Sequence, residues 1–574
     1  MFDDGIRGDP VALLKYFVSV RSDTDTSLEV DMERAILEYV EGIPWFREHG
    51  TFGIEALPGD EHGRGVVWAL LRGGRAGRPG KVGGRPAVVL LNHHDVVDTF
   101  DYGRLQPLAL NPDELRARLY ALAEKGDLIL NADVVEDLRS GKWLFGRGGC
   151  DMKSGTAVQL IALERLAGEV EGLGVDVLFL SVPDEENVSW GMRHGARLLG
   201  TLMERYGLDY LVLIDSEAHE RSSAEVPAFY DGSIGKTMLS VYVKGVKSHI
   251  GDIARGLNPS LILANLVRST EIDRDVVETE DGVRSPPPSW SYVRDFKECY
   301  DASIPEAAGG YISFLPMVRK PAEILEYMRG KCESAVEESL ARHRDAFRDE
   351  DGGRPAAFSR QGRVLLFGEL LADARAHDPE GVGPALDAVH RECREALASG
   401  ASSLPECNFR IIKTLLEHVP YGGPVAVIAL SPPYYPNISN RRLDGVDPRK
   451  RRLADRLPDL VGSAGEKVYA RRMERKPYFM GISDLSYVAF LDGEDAACVR
   501  ENMPLLQAGI YDLPFEDMAR VAMPILNISA WGKDPHKFTE RVYIPDVAEA
   551  VPALYVELIR SIGEFGESQS NPEE

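Results

Sequence analysis

The sequence predicts an α/β protein in which a doubly wound, mixed sheet is interrupted by an inserted α+β domain. Three observations predict it. Short unbroken apolar runs alternate with helical patterns over the first third of the chain, the signature of βαβ units around a buried sheet. From Lys236 the pattern changes to strands that alternate polar and apolar residues, with long helices between them. A late apolar run, residues 524–529, returns to the first kind. At 574 residues the chain also exceeds what one hydrophobic core usually covers.

Each element follows from its local pattern. Residues 30–42 carry apolar side chains at helical spacing and close on Gly42, which predicts a helix. Residues 86–91 form a strand buried on both faces, and 175–181 and 210–214 repeat that pattern. Between the first two, residues 153–167 predict a helix that opens beside Asp151. Residues 236–244 alternate as a strand with one face in solvent, and a helix runs from Pro259 to about Arg268. Another strand is expected over 311–318, then a long charged helix from Ala322 to about Phe347. Residues 360–420 are rich in helical pattern, and 424–430 form a last strand before a proline-rich turn. The boundaries therefore fall near 235 and 435: residues 1–235 and 436–574 share one sheet, and 236–435 are inserted. From Gly566 the chain reads as a disordered tail.

Composition narrows the partners. Hydrophobic residues make up 44% and charged residues 27%, enough to bury a large core. The formal net charge of −25 argues against nucleic acid and against anionic membrane, which both need a basic face. The six cysteines include no C-x-x-C pair, which suits reduced thiols. The first residues lack a basic stretch followed by an apolar one, and no apolar run approaches the ~20 residues of a membrane span. A soluble, cytoplasmic protein acting on a small molecule is expected.

Five short segments carry chemistry: Asn92-His93-His94-Asp95, Gly148-Gly149-Cys150-Asp151-Met152-Lys153, Asp184-Glu185-Glu186, Asp215-Ser216-Glu217, and Lys533-Asp534-Pro535-His536. Four of them end or closely follow an apolar run, and in α/β sheets ligands gather at the carboxyl ends of strands. Taken singly, each has an ordinary reading: a surface His-x-Asp, a solvated Glu-Glu pair, a helix-capping aspartate. Brought together they would place two histidines and at least three carboxylates around one point, a costly burial that two divalent cations would resolve. Histidine and carboxylate donors without cysteine fit Zn2+, and also Mn2+ or Co2+. Two such cations can lower the pKa of a water and polarise a carbonyl. On extended backbone Glu185 and Glu186 diverge, so one could bind metal while the other serves as general base.

The segments resemble those of the di-zinc amidohydrolases and exopeptidases, the family of acetylornithine deacetylase, succinyl-diaminopimelate desuccinylase, aminoacylase and carboxypeptidase G. The resemblance rests on His93-His94-Asp95-Val96-Val97, Gly146-Arg147-Gly148-Gly149-Cys150-Asp151-Met152-Lys153, Asp184-Glu185-Glu186, Asp215 or Glu217, and Gly532-Lys533-Asp534-Pro535-His536. Size and the long insertion are most similar to the arginine-utilisation (RocB-like) branch. The resemblance implies that Asp151 bridges two metals, that His93 and Asp215 bind one, and that Glu186 and His536 bind the other. Glu217 stands as the alternative to Asp215, whose place directly at the strand end favours it. Glu185 would be the general base and Asp95 would orient His93. The resemblance also implies a ferredoxin-like inserted lid that makes a homodimer, and a histidine, His249 in Gly245-Val246-Lys247-Ser248-His249, that stabilises an oxyanion in its own or the partner's site. Ser486 stands where arginine is common in a late segment, Gly481-Ile482-Ser483-Asp484-Leu485-Ser486. The expected activity is metal-dependent hydrolysis of an amide bond in an N-acyl amino acid or short peptide. The alternatives are a carbamoyl or amidino hydrolase, and a non-catalytic binding or regulatory protein on the same fold.

Overall fold

A computed structural model gives the fold and describes residues 5–76, 84–218, 221, 223–347, 362–443, 445–489 and 492–570. The chain divides into two compact units. One comprises Met1–Ser233, Ile438–Phe490 and Glu516–Glu574, the other Ile234–Asn437 and Leu491–Phe515. A boundary near 435 predicts Leu491–Phe515 in the outer part, but the segment groups with the insertion. Long-range contacts decide this: Lys320 Nζ lies 2.6 Å from Asp492, and the Tyr434 amide donates to the Tyr511 hydroxyl.

The first unit is built on an eight-stranded sheet in the order Phe52–Ala56, Gly65–Leu71, Asp176–Val182, Arg85–His93, Leu208–Asp215, Ile525–Asn527, Ala228–Tyr230, Glu474–Lys476. The four strands from Asp176–Val182 to Ile525–Asn527 are mutually parallel, and these are the four read from unbroken apolar runs. Their burial explains the pattern. Val88, Leu90, Val177, Phe179, Val212 and Ile214 share one core with the helices Lys153–Ala167 and Val551–Ser570. The helix Trp190–Tyr206 also packs against the sheet. Each such aliphatic side chain contributes about 1.5–3 kcal/mol on burial, so the sheet centre is a rigid base for the loops at its end. The helix Val551–Ser570 runs past Gly566, where the sequence predicts a tail to begin.

The second unit holds a five-stranded sheet in the order Ser289–Asp295, Ala307–Phe314, Lys236–Lys244, Val425–Tyr435, Arg363–Leu366. It is antiparallel except for the edge strand Arg363–Leu366. The expected solvent-facing side of Lys236–Lys244 is not found: every residue between the two ends is buried. Three helices form within the helix-rich stretch, Phe367–His377, Val382–Ala398 and Leu404–Glu417, and the third accounts for the difference. The last of them lies on the strand, with Asn408 Nδ2 donating to Ser240 Oγ and the Phe409 ring 6.3 Å from that of Tyr242.

All six cysteines are unpaired. Among the described residues no helix is long and apolar enough to cross a membrane.

Candidate metal centre

Three adjacent parallel strands deliver most of the site. His93 ends Arg85–His93 and pairs with Val182, just before Glu185 and Glu186. On its other side Leu91 pairs with Asp215, the last residue of its strand. Asp151 sits between the short strand Trp143–Phe145 and the helix Lys153–Ala167. Trp143–Phe145 pairs with Arg541–Tyr543, which pairs in turn with Gly532–Lys533. That pairing lays the turn carrying His536 beside Asp151.

The side chains converge on the Asp151 carboxylate. His93 Nε2 lies 3.3 Å from Asp151 Oδ1 and 3.7 Å from Glu217 Oε1. His536 Nε2 lies 3.2 Å from Asp151 Oδ2 and 3.0 Å from the Glu186 carboxylate. Glu185 joins the first group: ligand atoms of His93, Glu185 and Glu217 all lie within 4.8 Å of one another. Donors about 2.0–2.2 Å from a tetrahedral cation sit roughly 3.4 Å apart, and the groups His93–Glu185–Glu217 and His93–Asp151–Glu186 have ligand atoms close enough to hold one.

Asp215 stands differently. Its Oδ2 accepts from Ser483 Oγ at 2.8 Å and its Oδ1 from the Ser216 amide at 2.8 Å, so protein donors already hold both oxygens. Glu217 Oε1 faces His93, whereas both Asp215 oxygens are held by these donors. His94 points the other way, with Nδ1 3.1 Å from Ser181 Oγ.

Electrostatics show a site with too much negative charge. Asp151, Glu185, Glu186, Asp215 and Glu217 set five carboxylates against two imidazoles. Burial pushes Glu185 and Glu217 well above the carboxylate range, His93 opposing it and neighbouring carboxylates adding to it. Burial, with Asp151 beside it, lifts Glu186 to about 7. Burial lifts Asp215 to about 6 against its serine donors. Hydrogen bonds to Asp151 and Glu186 push His536 up to about 11. Burial lowers the His93 imidazolium, but Asp151, Asp95 and Glu217 outweigh it and hold His93 well above the usual histidine range. The protons these groups would retain are what divalent cations would displace.

A set of groups fixes these side chains in place. The Asp95 carboxylate accepts from the amides of Glu185 at 3.1 Å and Glu186 at 3.0 Å, and its Oδ1 lies 3.4 Å from His93 Nδ1. The residues Asp184, Ser189, Asp534 and His536 adopt positive φ, at +68°, +51°, +55° and +61°, so both loops carrying glutamate and histidine are strained. Glu29, Arg64 and Glu540 hold these loops, and the sequence reading missed all three. Glu29 accepts from the Asp184 amide at 2.9 Å, and Arg64 bridges Glu29 at 2.8 Å and Asp184 at 3.0 Å. Glu540 accepts from the amides of Cys150 and Asp151 and pairs with Arg147 at 2.7 Å. Only Arg147, inside the Gly-Arg-Gly-Gly run, gave a sequence signal that a buried acidic partner exists. Asp484 is buried in the same unit, where burial lifts it to about 8, and Ser486 is buried beside it in sequence. His249 belongs to the second unit, exposed, with Nδ1 accepting from the Gly251 amide at 3.1 Å.

A family model described as peptidase family M20/M25/M40 matches residues 131–491. The chain is 32% identical over 549 residues to the uncharacterized protein YqjN of Bacillus subtilis (strain 168), covering 95% of this chain and 94% of that one. The chain belongs to peptidase family M20/M25/M40. A second relative, protein RocB of the same organism, is 26% identical over 554 residues, covering 95% of this M20 chain and 93% of its own length. In fold the M20 chain is similar to the aminopeptidase PepT of Bacillus cereus ATCC 10987, with a TM-score of 0.50 at 12% identity, covering 97% of this chain and 98% of that one. This M20 protein is a metal-dependent hydrolase of amide bonds, in the RocB-like branch of its family.

Proposed function

We propose that the chain hydrolyses the amide bond of an N-acyl amino acid or short peptide, in amino-acid catabolism. One observation carries the reading: Asp151 turns one carboxylate oxygen to His93 and the other to His536, and a glutamate, Glu217 or Glu186, completes each side. His93, Asp151 and Glu217 would hold one cation, and Asp151, Glu186 and His536 the other, most simply Zn2+ given the histidine and carboxylate donors. Cations bound there would polarise the scissile carbonyl and lower the pKa of water.

The chain's own groups do the rest. Glu185 lies with its carboxylate among His93 and Glu217, placed to take a proton from the attacking water and return it to the leaving nitrogen. Asp95 acts through others: it locks the orientation of His93 and fixes the backbone of both glutamates. His249 is the oxyanion partner that the sequence resemblance supports, and association of two copies through the inserted unit rests on the same resemblance; light scattering of the pure protein tests the latter.

Glu185→Gln is the deciding experiment. The expected result is a loss of roughly 10²–10⁴ in kcat on N-acyl amino acids with metal content unchanged. Retained turnover in Glu185→Gln would remove Glu185 from the role of base. A His249→Ala variant should lose roughly 10²–10³ in kcat, the magnitude of one oxyanion donor, again with metal retained.

A further inference from the structure

The inserted unit contains a cavity of about 380 Å³ beside the strand Lys236–Lys244 and the helix Leu404–Glu417. That volume lies at the lower end of small-molecule sites, which span about 300–1,000 Å³. The helix bounding it lies directly on that strand, so the cavity exists because of this helix.

Its lining has two parts. One part is aromatic: Tyr242 stacks on Phe296 with ring centroids 5.3 Å apart, and Phe409 lies 5.1 Å from Phe296. The other part is charged, and of both signs. Lys244, Arg294, Arg410 and Lys413 are the cations; Glu298, Glu306, Glu406 and Glu417 are the anions. Arg294 and Glu406 meet through the Tyr292 hydroxyl, and among the described residues the other six make no ion pair. These six stand around the rim of the cavity, five of them exposed, without closing on each other. Glu306 and Glu417 both act on the buried Tyr242 hydroxyl, which marks the end of the cavity where negative charge gathers. Arg410 and Lys413 stand three residues apart on the helix, neighbours on one of its faces.

A ligand of one sign would meet only half of the charges on this rim. A small ligand carrying both signs answers both, and the aromatic rings offer its body an apolar surface. We propose that this cavity binds a free α-amino acid as its zwitterion. The α-carboxylate meets Arg410 and Lys413, the ammonium group meets Glu306 and Glu417, and the side chain lies against Tyr242, Phe296 and Phe409. The site is separate from the metal centre, all of whose proposed ligands belong to the other unit. The inference does not rest on the hydrolytic reading.

The test is calorimetric titration of the metal-loaded full chain with the common L-α-amino acids, each alongside its N-acetyl and its carboxamide derivative. The expected result is binding of at least one free amino acid that weakens roughly 10–100-fold on either capping and in both Arg410→Glu and Glu306→Lys. Hydrolytic kcat/KM in the absence of added amino acid stays at the wild-type value in both variants. Two variants on different segments guard against a local folding defect in one, and thermal melting checks each. Absence of binding at millimolar ligand overturns the proposal, as does binding that capping or both substitutions leave unchanged; the latter would place the ligand at the metal centre.

Discussion

Asp151 gives each of its carboxylate oxygens to a different histidine, while Asp215 and Glu217, two residues apart, face different partners. This division yields a sharp prediction. Glu217→Gln should reduce bound metal from about two per chain to about one, because it removes a charged donor from the His93 side. Asp215→Asn should retain both, since its oxygens already serve Ser483 and the Ser216 amide. Elemental analysis of the two purified variants decides the matter, and equal metal loss in both would return Asp215 to the ligand set. Asp95→Asn should weaken metal affinity by about 10–100-fold, the usual effect of losing a group that orients a ligand, and competition against a calibrated chelator measures it. The ligand types were legible in the sequence because carboxylates and histidines clustered at the ends of buried strands have few purely structural uses. Nothing local in the sequence separates Asp215 from Glu217, because the donor that occupies Asp215, Ser483, comes from a distant part of the chain.

The elements differ in how much of them the sequence displays. The central strands stand out because burial on both faces demands unbroken apolar runs, and the helix Lys153–Ala167 falls where its pattern predicts. The turn carrying His536 depends instead on pairing between Gly532–Lys533, Arg541–Tyr543 and Trp143–Phe145, segments too short to show a period. The solvent face expected for Lys236–Lys244 is missing for a related reason: Ser240 on that strand is polar, yet it is satisfied by Asn408 rather than by water. The loop bearing Glu185 and Glu186 depends on buried charge that no local pattern reveals. Arg64 links Glu29, Asp60 and Asp184, holding Asp184 at positive φ. Removing the guanidinium leaves three acids without their partner, so Arg64→Met should destabilise the first unit by about 3–5 kcal/mol in urea unfolding. A shift below about 1 kcal/mol, the value of an exposed pair, would show that the clamp is not what fixes this loop.

At the scale of the molecule, every proposed metal ligand lies in the unit formed by the two ends of the chain, and none in the inserted unit. Metal binding therefore stabilises one unit directly. A ligand present at a thousandfold excess over its Kd adds about 4 kcal/mol to the state that binds it, and each of two cations would contribute on this scale. When the cations leave, the buried carboxylates must either take up protons or repel one another, and both add to the loss. Calorimetry with and without chelator should show one transition moving to lower temperature on metal removal and a second, from the inserted unit, holding its position. Re-addition of Zn2+ should restore the first. If a single transition moves as a whole, the two units unfold together and the stabilisation spreads through the chain; if neither moves, the acidic cluster is stable without cations and the metal centre proposed for it is wrong.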